Sequence, residues 1–351
     1  MGEREETVKE ALLYEKLSSD VASCHVCQRR CRIAEGDLGY CRTRVNRDGV
    51  LYSLTYGQVS TSLVAPIEVK PVHHYLPGSR AYSLGSLGCN FLCDGCQNYE
   101  ISFALAEGSA SPAHYVSPED SVRIAMEKGC EGISWTYNEP TLWFEYTLDG
   151  AKAAKAFGLY TNYVTNGFMT MEALDTIGPH LDVFRVDIKA FEKRAYQKIA
   201  HIDNWEGILE VARRAKSHWN MHVEIVTNVI PGINDDPGMM RDLAQWIVSE
   251  LGPGTPWHLT RFFPHWRMKD VAPTPRETLE MLRETGIKEG LTYVYIGNIP
   301  GHPANHTYCP SCKQILIERF DYDLVQSKLS ANACPFCRWH IPGRFEGLDA
   351  A

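Results

Sequence analysis

From about residue 80 the chain alternates between two hydrophobic periods, and that alternation restricts its fold more than any other feature. Apolar, strand-like runs recur at 81–84, 132–136, 159–164, 183–188, 222–226 and 257–262. Helical patterns fill most of the gaps, at 140–157, 171–177, 204–219, 237–251 and 274–288. Ser117-Pro118-Glu119-Asp120 opens a further helix, with a capping serine, a proline in the first turn and two acids at the positive end. Strands separated by helices at this spacing predict a parallel sheet, because a parallel neighbour is reached only through a crossover. Six such units are fewer than the eight of a closed TIM barrel, which leaves a partial (β/α)6 barrel or a doubly wound sheet. In both, chemistry belongs at the carboxyl ends of the strands.

The distinctive polar residues fall at those ends. Cys89, Cys93 and Cys96 follow the first strand at C-x3-C-x2-C spacing, and Thr136-Tyr137-Asn138-Glu139-Pro140-Thr141 ends the second. Thr165-Asn166-Gly167 ends the third, Asp187-Ile188-Lys189 the fourth and Thr227-Asn228 the fifth, while Arg261 and His265 lie at the end of the sixth. Each motif alone reads as a turn or a helix cap. Their joint placement at successive strand ends reads as a site.

The 12 cysteines are grouped. Four stand at Cys24, Cys27, Cys31 and Cys41, three at Cys89, Cys93 and Cys96, and four at Cys309, Cys312, Cys334 and Cys337; only Cys130 is isolated, as expected of a small buried hydrophobe. The N-terminus MGEREETVKE is too charged for a signal peptide, and no apolar run has the length of a membrane span. The expected location is the cytoplasm, where clustered thiols read as metal ligands rather than disulfides. Two groups with four ligands each suit closed sites, and the three-thiolate group suits a site with an open position. An incomplete zinc knuckle is the bland alternative for the three. The C-terminal pair of C-x2-C knuckles reads as a zinc ribbon or rubredoxin-like module holding zinc, iron or an auxiliary cluster, chiefly as a staple for a small tail and otherwise for electron relay or docking. Zinc and a closed iron–sulfur cluster both fit the N-terminal four.

The predicted organisation is an N-terminal extension over 1–78, the barrel over 79–300 and the ribbon over 301–351. Residues 4–19 read as an amphipathic helix and 50–78 as β-rich. His73 and His74 are candidate ligands, of which a strand would turn only one toward a site. His302 and His306 stand beside the first C-terminal knuckle, each more in keeping with a structural role. A net charge of −8 argues against a large nucleic-acid footprint.

The cluster motif GCNFLCDGCQNYEIS, with CHVCQRRCRIAEGDLGYC, TYNEPTL, VTNGFM, VDIKAF, NVIPGIND, GNIPGHPANHTYCPSC and CPFCRWHIPGRF, resembles the radical SAM superfamily over nearly the whole chain. The resemblance is to its subgroup similar to glycyl-radical-enzyme (pyruvate formate-lyase) activating enzymes, in particular the AmmeMemoRadiSam system family. It implies a 4Fe–4S cluster on Cys89, Cys93 and Cys96 whose unique iron chelates S-adenosylmethionine, and reductive cleavage of that cofactor to methionine and a 5′-deoxyadenosyl radical. Tyr137, Asn138 and Glu139 then fall in the methionine-amino-binding motif, with Thr165, Asn166 and Asn228 as further cofactor contacts. Asp187 and Lys189 match residues lining the cofactor and substrate region, and His265 is the remaining catalytic candidate. The resemblance also implies an electron donor of flavodoxin or ferredoxin type and partner proteins of a multi-component system, with the substrate (protein, RNA or small molecule) open. Two positions depart from the pattern: Gly95 stands where an aromatic often packs by the adenine, and Val164 where the activases carry a cation-binding aspartate. The competing function is a zinc-dependent nucleic-acid- or protein-binding adaptor with three structural cysteine groups.

Overall fold

A computed structural model of the 351-residue chain describes residues 5–108, 112–329 and 331–346. Its centre is an eight-stranded sheet: β1 (Thr61–Pro66), β2 (Arg80–Gly85), β3 (Gly132–Trp135), β4 (Tyr160–Thr165), β5 (Val183–Asp187), β6 (His222–Val229), β7 (Trp257–Arg261) and β8 (Val294–Gly297). β1 pairs antiparallel with β2, and every other pairing is parallel. Spatial order follows chain order from β1 to β8. No strand order reverses, so the switch point of a doubly wound sheet is absent among the described residues. β1 and β8 are the two edges and do not pair with each other there, so the sheet is not a closed barrel.

The six expected parallel strands are present, and β8 adds a seventh. Its short run Val294–Gly297 is followed at once by a Gly- and Pro-rich segment, which hid it. Helices α1 (Pro118–Glu127), α2 (Phe144–Ala156), α3 (Met171–Ile177), α4 (Lys193–Ala200), α5 (Glu206–Ser217), α6 (Pro237–Trp246) and α7 (Arg276–Lys288) occupy the crossovers. Their starts are chemically marked. The Ser117 hydroxyl accepts from Asp120 N, Thr170 from Ala173 N, and the Asp236 carboxylate from Met239 N. β3 to β7 are buried along nearly their full lengths, as expected of a sheet covered on both faces.

The N-terminal extension departs from expectation. Residue 4 lies outside the described residues. Over 5–19 the chain forms a short 3-10 turn and the strands Lys9–Glu10 and Tyr14–Lys16, which pair with Val50–Ser53 and Val21–Cys24. The supposed apolar face is not buried: Leu12 and Leu17 are 43% and 39% exposed, and Leu13 takes a left-handed φ of 54° between the two strands. Backbone partners in other strands outweigh local helix propensity. The β-rich reading of 50–78 matches β1 and the strand Val50–Ser53.

His73 and His74 lie in a buried loop rather than a strand, and both backbone N–H groups donate to Glu224 Oε1 at 2.9 and 2.8 Å. The C-terminal segment makes a three-stranded sheet of Thr307–Tyr308, Ile315–Phe320 and Asp323–Ser327, with its own core. Arg319 docks it: buried, it donates to Thr307 Oγ1 at 2.8 Å and His73 O at 2.9 Å, and its Nε lies 3.6 Å from Glu68. His302 faces Glu280 at 3.1 Å, and His306 Nδ1 accepts from Arg319 N, so both serve this docking region. Cys130 is buried in the main core. No helix is long and apolar enough to cross a membrane among the described residues.

Candidate active site

One cavity of about 490 Å³ opens at the carboxyl ends of β2 to β8. Every one of those strands contributes: Cys89, Cys93 and Cys96 after β2, Thr136 to Glu139 after β3, Thr165 and Asn166 at β4, Asp187 and Lys189 at β5, Asn228 at β6, Thr260 at β7 and Asn298 after β8. The volume lies in the range of small-molecule sites. Of the residues singled out in the sequence for cofactor or catalytic roles, His265 alone does not line it; it begins the short turn Trp266–Met268.

The loop carrying the three cysteines is fixed by its neighbours. Asn138 spans its base, accepting from Ser86 N at 3.0 Å through Oδ1 and donating to Gly88 O at 2.8 Å through Nδ2. Gly88 has φ +84°, and a Cβ there would sit 2.7 Å from Thr43 Cγ2 and 2.8 Å from Cys41 O, so only glycine fits. Asn98 Nδ2 holds the Tyr137 carbonyl at 2.6 Å, across a Tyr137 backbone with φ 74°. Such strain in a non-glycine residue costs on the order of 1–3 kcal/mol and persists only where the surroundings impose it. At Gly95 a Cβ would meet Met268 Sδ at 3.0 Å and Phe262 at 3.1 Å. These side chains fill the space that an aromatic residue at 95 would need.

Glu139 is buried and acts as a hub. Its Oε1 accepts from Thr141 N (3.0 Å), Thr141 Oγ1 (2.5 Å) and Thr165 Oγ1 (2.7 Å), and its Oε2 from Asn166 N (2.8 Å). Burial pushes its carboxyl up, and these four donors oppose the shift. Asn166 Nδ2 in turn donates to Asn90 Oδ1 at 2.7 Å in the loop of the three cysteines, and Asn228 Nδ2 donates to Thr260 Oγ1 at 3.0 Å. The far wall is charged. Asp187 lies 2.8 Å from Arg185 and 3.7 Å from Lys189. Burial alone would lower the Lys189 ammonium, but Asp187 and the Cys93 sulfur hold it above its ordinary value. Arg185 and Lys70 were not singled out in the sequence. Arg185 is the one charge inside the run Val183–Val186, two residues before Asp187 and therefore on its face, which is a legible signal. Lys70 has no comparable local pattern; it is 4% exposed, packs over the Tyr137 ring at 5.0 Å and is lowered by burial, then by Arg185, to about 8.

The thiols fit a metal cofactor. Burial raises Cys89 well above the ordinary thiol value, Cys93 to about 12, and Cys96 to a lesser degree, so as bare thiolates they are short of compensating positive charge. A bound cation reverses that logic by deprotonating its thiol ligands. Spacing separates the three groups. Two thiolates on one ion at about 2.3 Å each lie at most about 4.6 Å apart. Among the described residues, only Cys309, Cys312, Cys334 and Cys337 bring three or more ligand atoms within 4.8 Å of one another. The Trp339 backbone N–H, with the neighbouring thiols, holds Cys337 down at about 6, so this set carries a thiolate at neutral pH. It fits a single ion. Cys89, Cys93 and Cys96, and Cys24, Cys27, Cys31 and Cys41, are not gathered within that 4.8 Å.

The C-terminal sheet also reaches the site. Tyr322, at its Asp321–Tyr322 turn, lines the main cavity and an adjoining one of about 330 Å³, and its hydroxyl donates to Asn298 Oδ1 at 3.1 Å.

Residues 84–244 match the family model of the radical SAM superfamily. An uncharacterized protein of Methanocaldococcus jannaschii is 39% identical over 333 residues, covering 94% of this chain and 98% of its own length. The (2S)-3-sulfopropanediol dehydratase activating enzyme of Klebsiella oxytoca is 23% identical over 126 residues, 36% of this chain and 39% of that protein. Among solved structures, a domain of a pyruvate-formate lyase-activating enzyme from Bacteroides vulgatus superposes with a TM-score of 0.41 at 21% identity, covering 48% of this chain and 99% of that one. A radical SAM methyltransferase from Sphaerobacter thermophilus gives 0.49 at 15% identity, covering 64% and 68%.

Proposed function

This chain belongs to the radical SAM superfamily and is an enzyme, and from that premise we propose that Cys89, Cys93 and Cys96 hold a 4Fe–4S cluster beside a bound S-adenosylmethionine in the 490 Å³ cavity. When bound, the pair supplies one-electron cleavage of the sulfonium to methionine and a 5′-deoxyadenosyl radical for hydrogen abstraction. The residues of the chain supply the setting. Asn138 and Asn98 fix the cluster loop against the end of β3. Glu139 has both oxygens engaged, so it acts by holding Thr165 and Asn166 in position rather than as a free acceptor for an ammonium group. Asn228 and Thr260 offer polar contacts at β6 and β7, and Asp187 with Lys189 forms the charged wall against which the reacting group lies. We read the sheet as a partial barrel of seven parallel strands and the protein as activase-like, within the AmmeMemoRadiSam subgroup. A flavodoxin- or ferredoxin-type donor supplies its electrons. The C-terminal ribbon holds one zinc or iron ion and, through Tyr322, walls the cavity as well as stapling the tail.

The observation that supports this reading best is convergence: three thiols and the ends of seven consecutive parallel strands meet in one cavity. A purely zinc-binding adaptor has no use for such a cavity. The test is anaerobic purification and reconstitution. A brown protein that cleaves S-adenosylmethionine to methionine and 5′-deoxyadenosine, and loses cleavage together with the iron of one cluster when Cys89, Cys93 and Cys96 are replaced by alanine while zinc is kept, supports the reading. Complete absence of cleavage by fully reconstituted protein given a strong reductant overturns it.

A further inference from the structure

The N-terminal four-cysteine group sits directly against the cluster loop. Cys24 and Cys27 are buried, Cys31 and Cys41 are half-buried, and all four line one small pocket with Arg29 and Arg44. The Cys41 carbonyl abuts Gly88, the residue before Cys89. Arg29 Nε donates at 2.7 Å to the carbonyl of Asn90, the residue after Cys89, and the Arg29 guanidinium lies 3.5 Å over the Tyr40 ring. Tyr40 lines the pocket of the four cysteines. Burial raises its phenol, Arg29 opposes that shift, and Cys89, Cys93 and Cys31 add smaller upward pushes.

The pocket asks for a further acceptor that the described residues do not provide. Arg44 is 1% exposed; its Nη2 is satisfied by Glu145, but Nε and Nη1 are buried without a hydrogen-bond partner, as is Arg29 Nη2. Leaving a buried donor unpaired costs about 1–3 kcal/mol, so three in one pocket call for a partner. Sulfurs of a thiolate-ligated centre are such partners. The thiol spacing selects among centres, because these four are not gathered within the 4.8 Å that a single ion imposes on the C-terminal four. Hydrogen bonds from N–H groups to cluster sulfurs also adjust the reduction potential.

We propose that Cys24, Cys27, Cys31 and Cys41 hold a second iron–sulfur cluster, with Arg29 and Arg44 donating to its sulfurs, and that it relays electrons to the centre on Cys89, Cys93 and Cys96. The relay rests on the radical reading above; the occupancy of the N-terminal site does not. One electron enters from a low-potential ferredoxin- or flavodoxin-type donor, converts one ferric iron of the N-terminal cluster to ferrous, and then passes to the centre on the adjacent loop. No proton or atom is transferred. The half-buried Cys31 and Cys41 mark the side from which a donor approaches.

Iron, sulfide and zinc analysis of the full chain after anaerobic reconstitution tests the site. Two cubane clusters predict about eight irons per chain, with one further ion at the C-terminal four. A Cys89→Ala/Cys93→Ala/Cys96→Ala variant is expected to keep about half of the iron and a visible absorbance that dithionite bleaches, with an electron paramagnetic resonance signal. Adding Cys27→Ala and Cys31→Ala removes that signal. In the triple-alanine background, Arg29→Gln is expected to lower the midpoint potential of the retained signal, which a purely structural arginine would not do. A colourless triple variant that keeps the wild-type circular dichroism, or wild-type protein with about four irons and zinc at the N-terminal site, overturns the proposal. Wild-type protein that cleaves S-adenosylmethionine yet holds about four irons defeats this inference alone. Protein with about eight irons that cleaves none defeats the radical reading and leaves the N-terminal site standing.

Discussion

Arg44 and Glu145 form a two-point ion pair in the interior: Arg44 Nη2 lies 2.9 Å from each Glu145 carboxylate oxygen, and both side chains are 1% exposed. The pair joins the N-terminal cysteine unit to α2, and Glu145 Oε1 also accepts from Leu12 N. Burial alone would pull the Arg44 proton affinity down, but Glu145 holds it above the ordinary value. Removing one partner of a buried pair leaves an uncompensated charge, so Glu145→Leu is expected to destabilise the protein by about 3–5 kcal/mol. Denaturant unfolding at pH 7 measures it. A loss under about 1 kcal/mol, the scale of an exposed pair, would show that water reaches the Arg44 guanidinium.

Lys70 carries a different electrostatic signature, a buried cation with no carboxylate partner at hydrogen-bond distance among the described residues. Burial first, and Arg185 second, lower it from 10.5 to about 8. Below about pH 8 folding therefore confines a charge that the unfolded chain solvates freely. Between about 8 and 10.5 the unfolded chain binds a proton that the folded chain has released, so this residue makes stability rise with pH. Lys70→Met is expected to raise the denaturation midpoint at pH 7, with the advantage shrinking as pH approaches 10. A constant difference between the proteins from pH 7 to 10 would mean that Lys70 titrates normally.

The carboxyl-end polar residues of the parallel strands were legible because period and chemistry coincide: each apolar run stops where its Cys, Asn, Asp or Thr begins, and the cavity is built from those stops. What the sequence concealed depends on contacts between distant segments. Tyr14–Lys16 is a strand because Val21–Cys24 lies beside it, although the local residues favour a helix. His73 and His74 are held by Glu224, some 150 residues away in the chain, and not by any strand of their own. Lys70 faces the cavity because the buried loop before β2 carries it there. The role of the C-terminal ribbon was half legible. Its cysteine pairs announced a metal, whereas nothing around Tyr322 announced a cavity wall.

That ribbon yields a prediction about metal removal. Cys309 and Cys337 sulfurs lie 3.5 Å apart and those of Cys312 and Cys334 3.7 Å, and the small core behind them includes Leu316, Ile317 and Ile341. So small a unit would draw folding energy from a metal held by these four thiols. Chelation by a zinc-specific agent is expected to expose 306–329 to trypsin while the parallel sheet stays resistant, as mass mapping of the fragments would show. Equal protection with and without the chelator would assign the stability of the ribbon to the Arg319 docking contacts instead.

Glu139 offers the sharpest test of the cavity's construction. Its two oxygens face four donors and no acceptor, from Thr141 N, Thr141 Oγ1, Thr165 Oγ1 and Asn166 N. A carboxylate accepts at both oxygens, whereas the amide of glutamine must point an NH2 at donors along one side. Glu139→Gln preserves size but sets N–H against N–H or O–H, at a cost of about 1–3 kcal/mol. The backbone at Asn166 is expected to shift, and with it the Asn166–Asn90 link at 2.7 Å that ties β4 to the cluster loop. Glu139→Gln should therefore weaken S-adenosylmethionine binding to reconstituted protein at least tenfold while leaving the N-terminal and C-terminal metal content intact. Asn166→Ala, which removes the donor of the same link, should act in the same direction. Unchanged cofactor affinity in both variants would detach this hub from the binding site and leave it a purely structural part of the strand end.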